Sequence, residues 1–294
     1  MGNKISKTKK ITIRLGILFT IVFLVGSWVA SEVTLKAFRR SLNITPESYG
    51  IPFERVSFLT KDKYLIHGWW LPGVKQDKCV ILVHGIAADK TYMHEYFQFI
   101  HDAGYNVLTI DLRGYGENSF SSTSISYKES DDVNAAVLYA KNRGEKFIGV
   151  IGRSMGGASS LRAAEVNRDI KAVVSDSAFA ELKPTMVIYA TKIYHVPYFP
   201  FVPVGFFLAE LRSGYKYKEA NPIDSVKKTP FPVLIFHGDN DKKIDVENAK
   251  RIYEAASGPK KIIIVKNAGH VQSLAYAAKE YQAETLNFFA TYLK

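Results

Sequence analysis

The chain has 294 residues, of which 47% are hydrophobic and 23% are charged, and it carries a formal net charge of +11. Such a composition is typical of a globular protein that buries one large core, and we predict one folded domain with an N-terminal appendage. The net charge does not indicate a nucleic-acid partner, because more than half of it lies in the first forty residues, around one apolar run. The basic residues of this region are Lys4, Lys7, Lys9, Lys10, Arg14, Lys36, Arg39 and Arg40.

The apolar run from residue 15 to residue 31 contains no charged side chain. Its length favours an uncleaved transmembrane anchor over residues 11–31, preceded by a basic cytoplasmic N-terminus (1–10) and followed by a tether (32–50). Because the basic excess is greater before the run than after it, we expect a single-pass protein of the cell membrane whose folded domain is extracytoplasmic. A signal peptide cleaved at Val29-Ala30-Ser31, which would give a secreted protein, is the alternative.

From residue 51 onwards, short runs rich in β-branched residues alternate with amphipathic stretches. This alternation predicts an α/β fold over 51–294, with a mainly parallel central sheet and helices on both faces. The predicted strands are 56–59, 64–71, 79–84, 105–111, 147–151, 170–175, 233–237 and 261–265. The predicted helices are 93–103, 130–142, 154–166, 246–256 and 273–292.

One segment, at about 181–222, interrupts this alternation with many aromatic residues and with prolines at 184, 197, 200 and 203. We predict an insertion that the prolines divide into pieces too short for a core helix. It could be a loop-rich layer on the edge of the sheet. Its position after a predicted strand favours a cap over the active site, because ligands bind at the carboxyl ends of strands in open α/β sheets. His195 lies in this segment and could contact a substrate.

The sequence Gly152-Arg153-Ser154-Met155-Gly156 lies where a predicted strand changes to a predicted helix. Glycines on both sides of a serine allow the tight turn that exposes a nucleophilic hydroxyl above the sheet. The N-terminus of the following helix then favours negative charge that develops beside the serine. Ser154 is therefore our candidate nucleophile.

A serine hydroxyl needs a base to remove its proton, and the chain contains seven histidines. His270 follows the last predicted strand beside Gly269, where a side chain could reach over the top of the sheet. His84 and His237 each precede a glycine at a strand end and suit a structural role in turns. His270 is therefore the predicted base.

The acid that orients this base is expected after the strand at 233–237, where His237-Gly238-Asp239-Asn240-Asp241 supplies two carboxylates. Asp239 falls in the tight turn and is better placed to cap it. Asp241 lies one step outward and fits the role of the acid better.

Together, His84-Gly85, the run Asp111 to Gly116, Gly152 to Gly157, the run His237 to Asp241 and Gly269-His270 resemble the α/β-hydrolase superfamily. The likeness spans about residues 53–294 and is greatest to the membrane-anchored, single-domain branch related to dienelactone hydrolases and prolyl-peptidase catalytic domains. The resemblance implies Asp241 as the acid and the backbone N–H groups of Ile86 and Met155 as the oxyanion hole. The run His84 to Ala87 lacks the triple glycine of many carboxylesterases, so their substrate range is not implied.

We therefore predict a serine hydrolase that cleaves an acyl ester with an apolar portion, on a small-molecule or lipid-like substrate. A peptidase or amidase with the same triad is the alternative, and a catalytically silent, membrane-tethered binding protein is a third possibility. We expect no cofactor, no metal and no nucleic-acid partner, since no phosphate-binding loop, dinucleotide fingerprint or metal-ligand spacing is found in the sequence.

Overall fold

The protein, studied as a computed structural model, is described over residues 6–294. Residues 1–5 of the predicted basic N-terminus lie outside this range. The strands are β1 (Glu54–Leu59), β2 (Leu65–Leu71), β3 (Lys78–Val83), β4 (Asn106–Ile110), β5 (Phe147–Arg153), β6 (Ile170–Asp176), β7 (Val233–Gly238) and β8 (Lys260–Val265). The α-helices are α1 (Lys7–Leu35), α2 (His94–Asp102), α3 (Glu129–Asn142), α4 (Met155–Val166), α5 (Leu182–Ile188), α6 (Phe201–Ser213), α7 (Pro222–Lys228), α8 (Glu247–Ala255), α9 (Ser273–Tyr276) and α10 (Ala278–Tyr292).

The eight strands form one sheet in the order β1-β2-β4-β3-β5-β6-β7-β8. Strand β2 pairs antiparallel with β1 and β4, and all the other pairs are parallel. Five of the six residues of β3 are fully buried, as expected of a strand covered on both faces. The predicted α/β fold with a mainly parallel sheet is confirmed. The parallel arrangement brings the carboxyl ends of β3 to β8 to one edge of the sheet.

A cluster of buried apolar side chains on β3, β6 and β7 continues into the C-terminal helix α10. The Phe236 ring stacks on Tyr281 with centroids 3.9 Å apart. Phe289 packs so closely on Gly149 that a Cβ there would lie 2.6 Å from its ring. The predicted helix over 273–292 is divided at Ala277, whose backbone (φ −132°, ψ 45°) is not helical.

Asp111, directly after β4, joins the loop that follows β3 to the loop that follows β4. Its carboxylate accepts hydrogen bonds from the backbone N–H of Lys90 (2.9 Å) and of Glu117 (2.9 Å), and it pairs with Lys90 Nζ at 2.6 Å. Gly116 lies against it so closely that a Cβ would come within 2.1 Å of the carboxyl carbon. This close approach leaves no room for a side chain at position 116.

The described residues divide into two compact units, one of which contains residues 6–36 together with Met186–Tyr215, and the other Ala37–Thr185 together with Lys216–Lys294. In the first unit α6 has thirteen residues, so the expectation that prolines leave only short helical pieces is wrong for this part of the insertion. Pro203 lies in the first turn of α6, where its missing N–H has no intrahelical acceptor. The assignment of the segment at 181–222 as a cap stays a prediction.

Helix α1 contains the one stretch of the described residues that is long and apolar enough to cross a membrane, Lys7–Val29. Most of its apolar side chains, from Leu15 to Val25, are exposed. A membrane anchor and a signal sequence both have this length and composition, so these two properties do not separate them.

Candidate active site

Ser154 lies at the sharp turn between β5 and α4, at the predicted position. Its backbone is strained, with φ 52° and ψ −117°, a region that a residue with a side chain rarely adopts. Close backbone packing around the turn maintains this conformation. A Cβ on Gly152 would lie 2.3 Å from the Gly156 carbonyl oxygen. A Cβ on Gly156 would lie 2.3 Å from the carbonyl oxygen of Val83 on the adjacent strand. Only glycine at both positions lets the turn close and lift the serine hydroxyl off the sheet.

The structure brings together the three side chains predicted to form a triad. His270 Nε2 lies 3.0 Å from Ser154 Oγ, and His270 Nδ1 lies 2.7 Å from Asp241 Oδ2. The three residues come from three different loops, after β5, β7 and β8, which meet at the same edge of the sheet. Since a carboxylate only accepts, Nδ1 carries the proton and Nε2 is free to accept the serine proton. Their catalytic roles stay predictions.

The Asp241 carboxylate accepts three hydrogen bonds, and a fourth nitrogen lies near it. Its Oδ1 accepts hydrogen bonds from the backbone N–H groups of Lys243 (2.8 Å) and Ile244 (3.0 Å). Its Oδ2 faces His270 and, at 3.3 Å, His237 Nε2. Burial acts to raise the pKa of Asp241, but the neighbouring His237 and His270 side chains outweigh it and leave this pKa below its usual value. The group is therefore an anion throughout the range in which a histidine base works.

Asp239 has a different environment. Its Oδ1 accepts a hydrogen bond from the backbone N–H of Asn267 at 2.6 Å, and its own N–H donates to the Val265 carbonyl. The side chain is exposed and joins the loops that follow β7 and β8. It thus occupies the turn-capping position that the sequence suggested.

The two predicted oxyanion donors belong to Met155, which follows the serine, and to Ile86, whose neighbour Gly85 packs on the serine turn. Met155 is the first residue of α4, so its N–H has no intrahelical acceptor. Gly85, next to Ile86, packs so closely on the turn that a Cβ there would lie 3.2 Å from Ser154 Cβ. The Ile86 N–H makes no hydrogen bond within residues 6–294. Both amides are therefore available to an oxygen atom bound near the serine hydroxyl.

His84 controls the direction of the Ile86 amide. Its Nε2 accepts a hydrogen bond from the Leu112 N–H (3.0 Å), so its Nδ1 donates to the Gly85 carbonyl oxygen at 2.7 Å. In a trans peptide the carbonyl and the next N–H point in opposite directions, so fixing the Gly85 carbonyl also fixes the Ile86 N–H. Burial lowers the pKa of His84 and keeps it neutral, which this pattern of one donor and one acceptor requires.

A second set of residues, which sequence reasoning missed, holds the loop that carries His270. Ser177 Oγ accepts a hydrogen bond from the Val271 N–H (3.1 Å) and donates to Asp176 Oδ1 (2.9 Å). Ser273 Oγ donates to the same oxygen at 3.0 Å, and Arg153 donates to the Val271 carbonyl at 2.5 Å. These bonds hold Val271 at φ 53°, an unfavourable value for a β-branched residue.

The sequence contained a signal for two members of this network but not for their contacts, because Asp176 and Ser177 lie at the end of β6, at the edge where Ser154 lies. Burial raises the pKa of Asp176.

His195, the remaining predicted contact residue, is exposed after the helical turn Tyr189–Ile193, and its role stays a prediction. Within residues 6–294 no cluster of three or more potential metal-ligating side chains is found.

Comparison with known proteins agrees with the fold described above. A family model described as the alpha/beta hydrolase fold matches residues 78–201. The chain is 29% identical over 229 residues to the protein YqkD of Bacillus subtilis (strain 168), a match that covers 76% of this chain and 75% of that protein. It is 27% identical over 233 residues to YfhR of Escherichia coli (strain K12), with 76% and 75% covered.

Among solved structures, the Pyrococcus furiosus esterase Pf2001 superposes with a TM-score of 0.75 at 26% sequence identity. This match covers 89% of the present chain and 99% of the esterase. Together with the eight-stranded, mainly parallel sheet, these similarities support a hydrolase. The chain has the α/β-hydrolase fold.

Proposed function

We propose that this protein is a serine hydrolase that cleaves an acyl ester with an apolar portion. The observation that carries the proposal is the continuous hydrogen-bond chain from Ser154 Oγ through His270 to Asp241, with contacts of 3.0 and 2.7 Å. The likeness to an esterase at 26% identity supports the ester as the bond that is cleaved. The apolar portion is inferred from the aromatic insertion and the apolar N-terminal helix.

In the proposed reaction Ser154 Oγ attacks the acyl carbonyl carbon while His270 Nε2 takes the hydroxyl proton. The carbonyl electron pair moves to oxygen, which the N–H groups of Ile86 and Met155 stabilise. Collapse of this intermediate expels the alcohol, which receives the proton from His270 and leaves the acyl group on Ser154. A water molecule, whose proton His270 takes, then attacks the acyl carbonyl carbon in the same way and releases the carboxylic acid and free Ser154. Asp241 keeps the imidazole in the required tautomer and stabilises its positive charge.

A fluorophosphonate probe tests the nucleophile. We expect the wild-type protein to be labelled and Ser154→Ala not to be labelled, whereas Ser122→Ala, on an exposed loop, keeps full labelling. Absence of labelling in the folded wild-type protein would refute the proposal. A series of p-nitrophenyl esters of increasing acyl length, measured beside peptide amides, then tests the bond. Hydrolysis of the amides at higher kcat/KM than the esters would replace the esterase with a peptidase or amidase.

We also propose that residues 11–31, which lie within α1, anchor the protein in the cell membrane and leave the catalytic domain outside the cytoplasm. The basic residues before the apolar stretch support this orientation, because positive charge is retained on the cytoplasmic side. Protease added to intact cells should cut the domain, and full protection would contradict the orientation. An intact mass that retains residues 1–31 is expected, and a soluble product beginning near residue 31 would indicate a cleaved signal peptide instead.

A further inference from the structure

Helix α6 of the insertion packs along the C-terminal half of α1, within one compact unit. At the start of α6, the Phe201 ring lies 5.6 Å from the Phe23 ring, centroid to centroid. A Cβ built on Gly26 would lie 3.8 Å from the same Phe201 ring. Small residues of α1, including Gly26 and the buried Ser27, allow the close approach that is typical of helix pairs in membranes.

At the other end of α6, Arg212 binds the last turns of α1. Its guanidinium donates to Ser31 Oγ at 2.9 Å, forms an ion pair with Glu32 and lies 4.3 Å above the centre of the Trp28 ring. An arginine and a tryptophan together are typical of the boundary between lipid and water. This end of α6 therefore marks the level at which α1 would leave the membrane.

The contact between Phe23 and Phe201 lies deeper than this level. Phe23 precedes Val29, the last residue of the apolar stretch, by six residues, which is about 9 Å along a helix that rises about 1.5 Å per residue. If α1 crosses the bilayer, residue 23 lies among the acyl chains of the leaflet at its C-terminal end. Phe201, in contact with it, must then lie at a similar depth.

The surface of α6 that does not face α1 is apolar. Pro203, Phe207 and Leu211 follow a spacing of four residues, which places them on one side of the helix, and all three are exposed. Phe207 is 63% exposed and Leu211 is 68% exposed. From 201 to 209 the helix contains no charged residue. An apolar stripe of this kind facing water is uncommon in soluble domains and indicates a lipid or protein contact.

The residues before α6 extend this surface with exposed aromatic side chains. Phe199 is 80% exposed, and Tyr194 and Tyr198 are also exposed. Tyrosine concentrates at the level of lipid headgroups because its ring is apolar and its hydroxyl group is polar. The segment thus presents a purely apolar helix face with tyrosines nearby.

We propose that α6 and the aromatic residues before it are immersed in the lipid leaflet that the C-terminal half of α1 crosses. The proposal rests on the membrane anchor proposed above for residues 11–31. The occupant of the apolar stripe is the acyl-chain region of that leaflet, because the stripe is continuous with a helix whose own exposed apolar side chains need the same surroundings. The insertion is in this way a second, monotopic membrane contact of the hydrolase.

Depth-dependent fluorescence quenching tests this proposal on the full chain. Cys79 is buried in β3, and burial raises the pKa of its thiol well above the usual value, so an introduced cysteine is labelled selectively. We would place one cysteine at a time, as Phe207→Cys on α6, Val22→Cys on the exposed side of α1, and Ser122→Cys on an exposed loop of the other unit. The Val22→Cys and Ser122→Cys variants should retain the ester hydrolysis of the wild-type protein.

The labelled proteins are reconstituted into vesicles of phosphatidylcholine and phosphatidylglycerol, with or without brominated acyl chains. We expect brominated lipid to quench the probe at position 207 about as strongly as the probe at 22. Aqueous iodide should quench only the probe at position 122. Iodide quenching at 207 with lipid quenching at 22 overturns the proposal and leaves the anchor intact. Iodide quenching at both positions overturns the anchor as well.

Protection at position 207 from both quenchers would also overturn the proposal, since it would place a protein surface, such as a second copy of the chain, over the stripe. The ester hydrolysis measured on the same samples is independent of these outcomes. Loss of the membrane contact and loss of the proposed hydrolase activity are therefore distinguished.

Discussion

Replacing Asp241 by asparagine removes one negative charge without changing the size of the side chain. Two backbone donors, the N–H groups of Lys243 and Ile244, point at Oδ1 at 2.8 and 3.0 Å. The amide oxygen of the asparagine must take that position, because an NH₂ group there would face two donors. The NH₂ group is then turned toward His270 Nδ1, which lies 2.7 Å from the replaced oxygen in the native protein.

A donor at this place reverses the proton positions on the imidazole. His270 Nδ1 must then accept, so Nε2 carries the proton and can no longer remove the proton of Ser154. A wrong tautomer in a Ser-His-Asp triad lowers kcat by about 10⁴-fold, which corresponds to about 5.5 kcal/mol of activation free energy. We expect a loss of this order for Asp241→Asn, with KM almost unchanged because the acid does not touch the substrate.

The assay is kcat/KM on a short p-nitrophenyl ester at neutral pH, with thermal unfolding as a check on folding. Asp239→Asn is the matched control, because the amide oxygen can still accept the Asn267 N–H at this exposed position. It should keep activity within about threefold of the wild-type value, as surface changes usually do. An active Asp241→Asn together with an inactive Asp239→Asn would refute this assignment of the acid.

Three further predictions concern the surroundings of the triad. Ser177→Ala removes the acceptor of the Val271 N–H, so His270 loses its alignment, and kcat on the same ester should fall about 10- to 100-fold with little change in KM; an unchanged kcat would argue against a positioning role. Gly156→Ala should lower the free energy of unfolding by about 3 kcal/mol or more in a denaturant titration, because its Cβ would lie 2.3 Å from the Val83 carbonyl oxygen; wild-type stability would contradict the close approach. Since burial lowers the pKa of His84 in the folded state, the unfolded chain takes up the proton first as the pH falls. The contribution of His84 to the free energy of unfolding should therefore be fully present above about pH 6.5 and should be lost as the pH falls below it. The decrease in the free energy of unfolding between about pH 6.5 and 5 should be smaller in His84→Gln than in the wild-type protein. An equal decrease in both proteins would exclude this contribution.

The fold was predictable because each element of the sheet has a local signature. A strand buried on both faces, such as β3, must consist of consecutive apolar residues, and the helices between strands repeat at a period of 3.6. The turn at Ser154 was predictable for the same reason, since only glycine tolerates the contacts found at 152 and 156. The order of the serine, the acid and the histidine along the chain also follows from the sequence once the strands are assigned.

The choice between Asp239 and Asp241 could not be made from the local sequence alone. Both follow β7 within four residues, and only the position of each carboxylate in space separates a turn cap from a partner of His270. The loop network around Val271 was missed because it joins residues almost a hundred positions apart, Ser177 with Val271 and Asp176 with Ser273. Contacts between distant residues carry no sequence period.

The insertion at 181–222 was recognised from its prolines and aromatic residues, yet its longest helix was not expected. Pro203 resembles a helix breaker in the sequence but lies in the first turn of α6, where it removes no hydrogen bond. The sequence by itself determined the α/β fold, the serine turn and the apolar N-terminal helix, because each depends on residues that are neighbours along the chain. Only the tertiary structure decided which carboxylate faces His270 and which helix packs on α1, because these depend on side chains that meet only after folding.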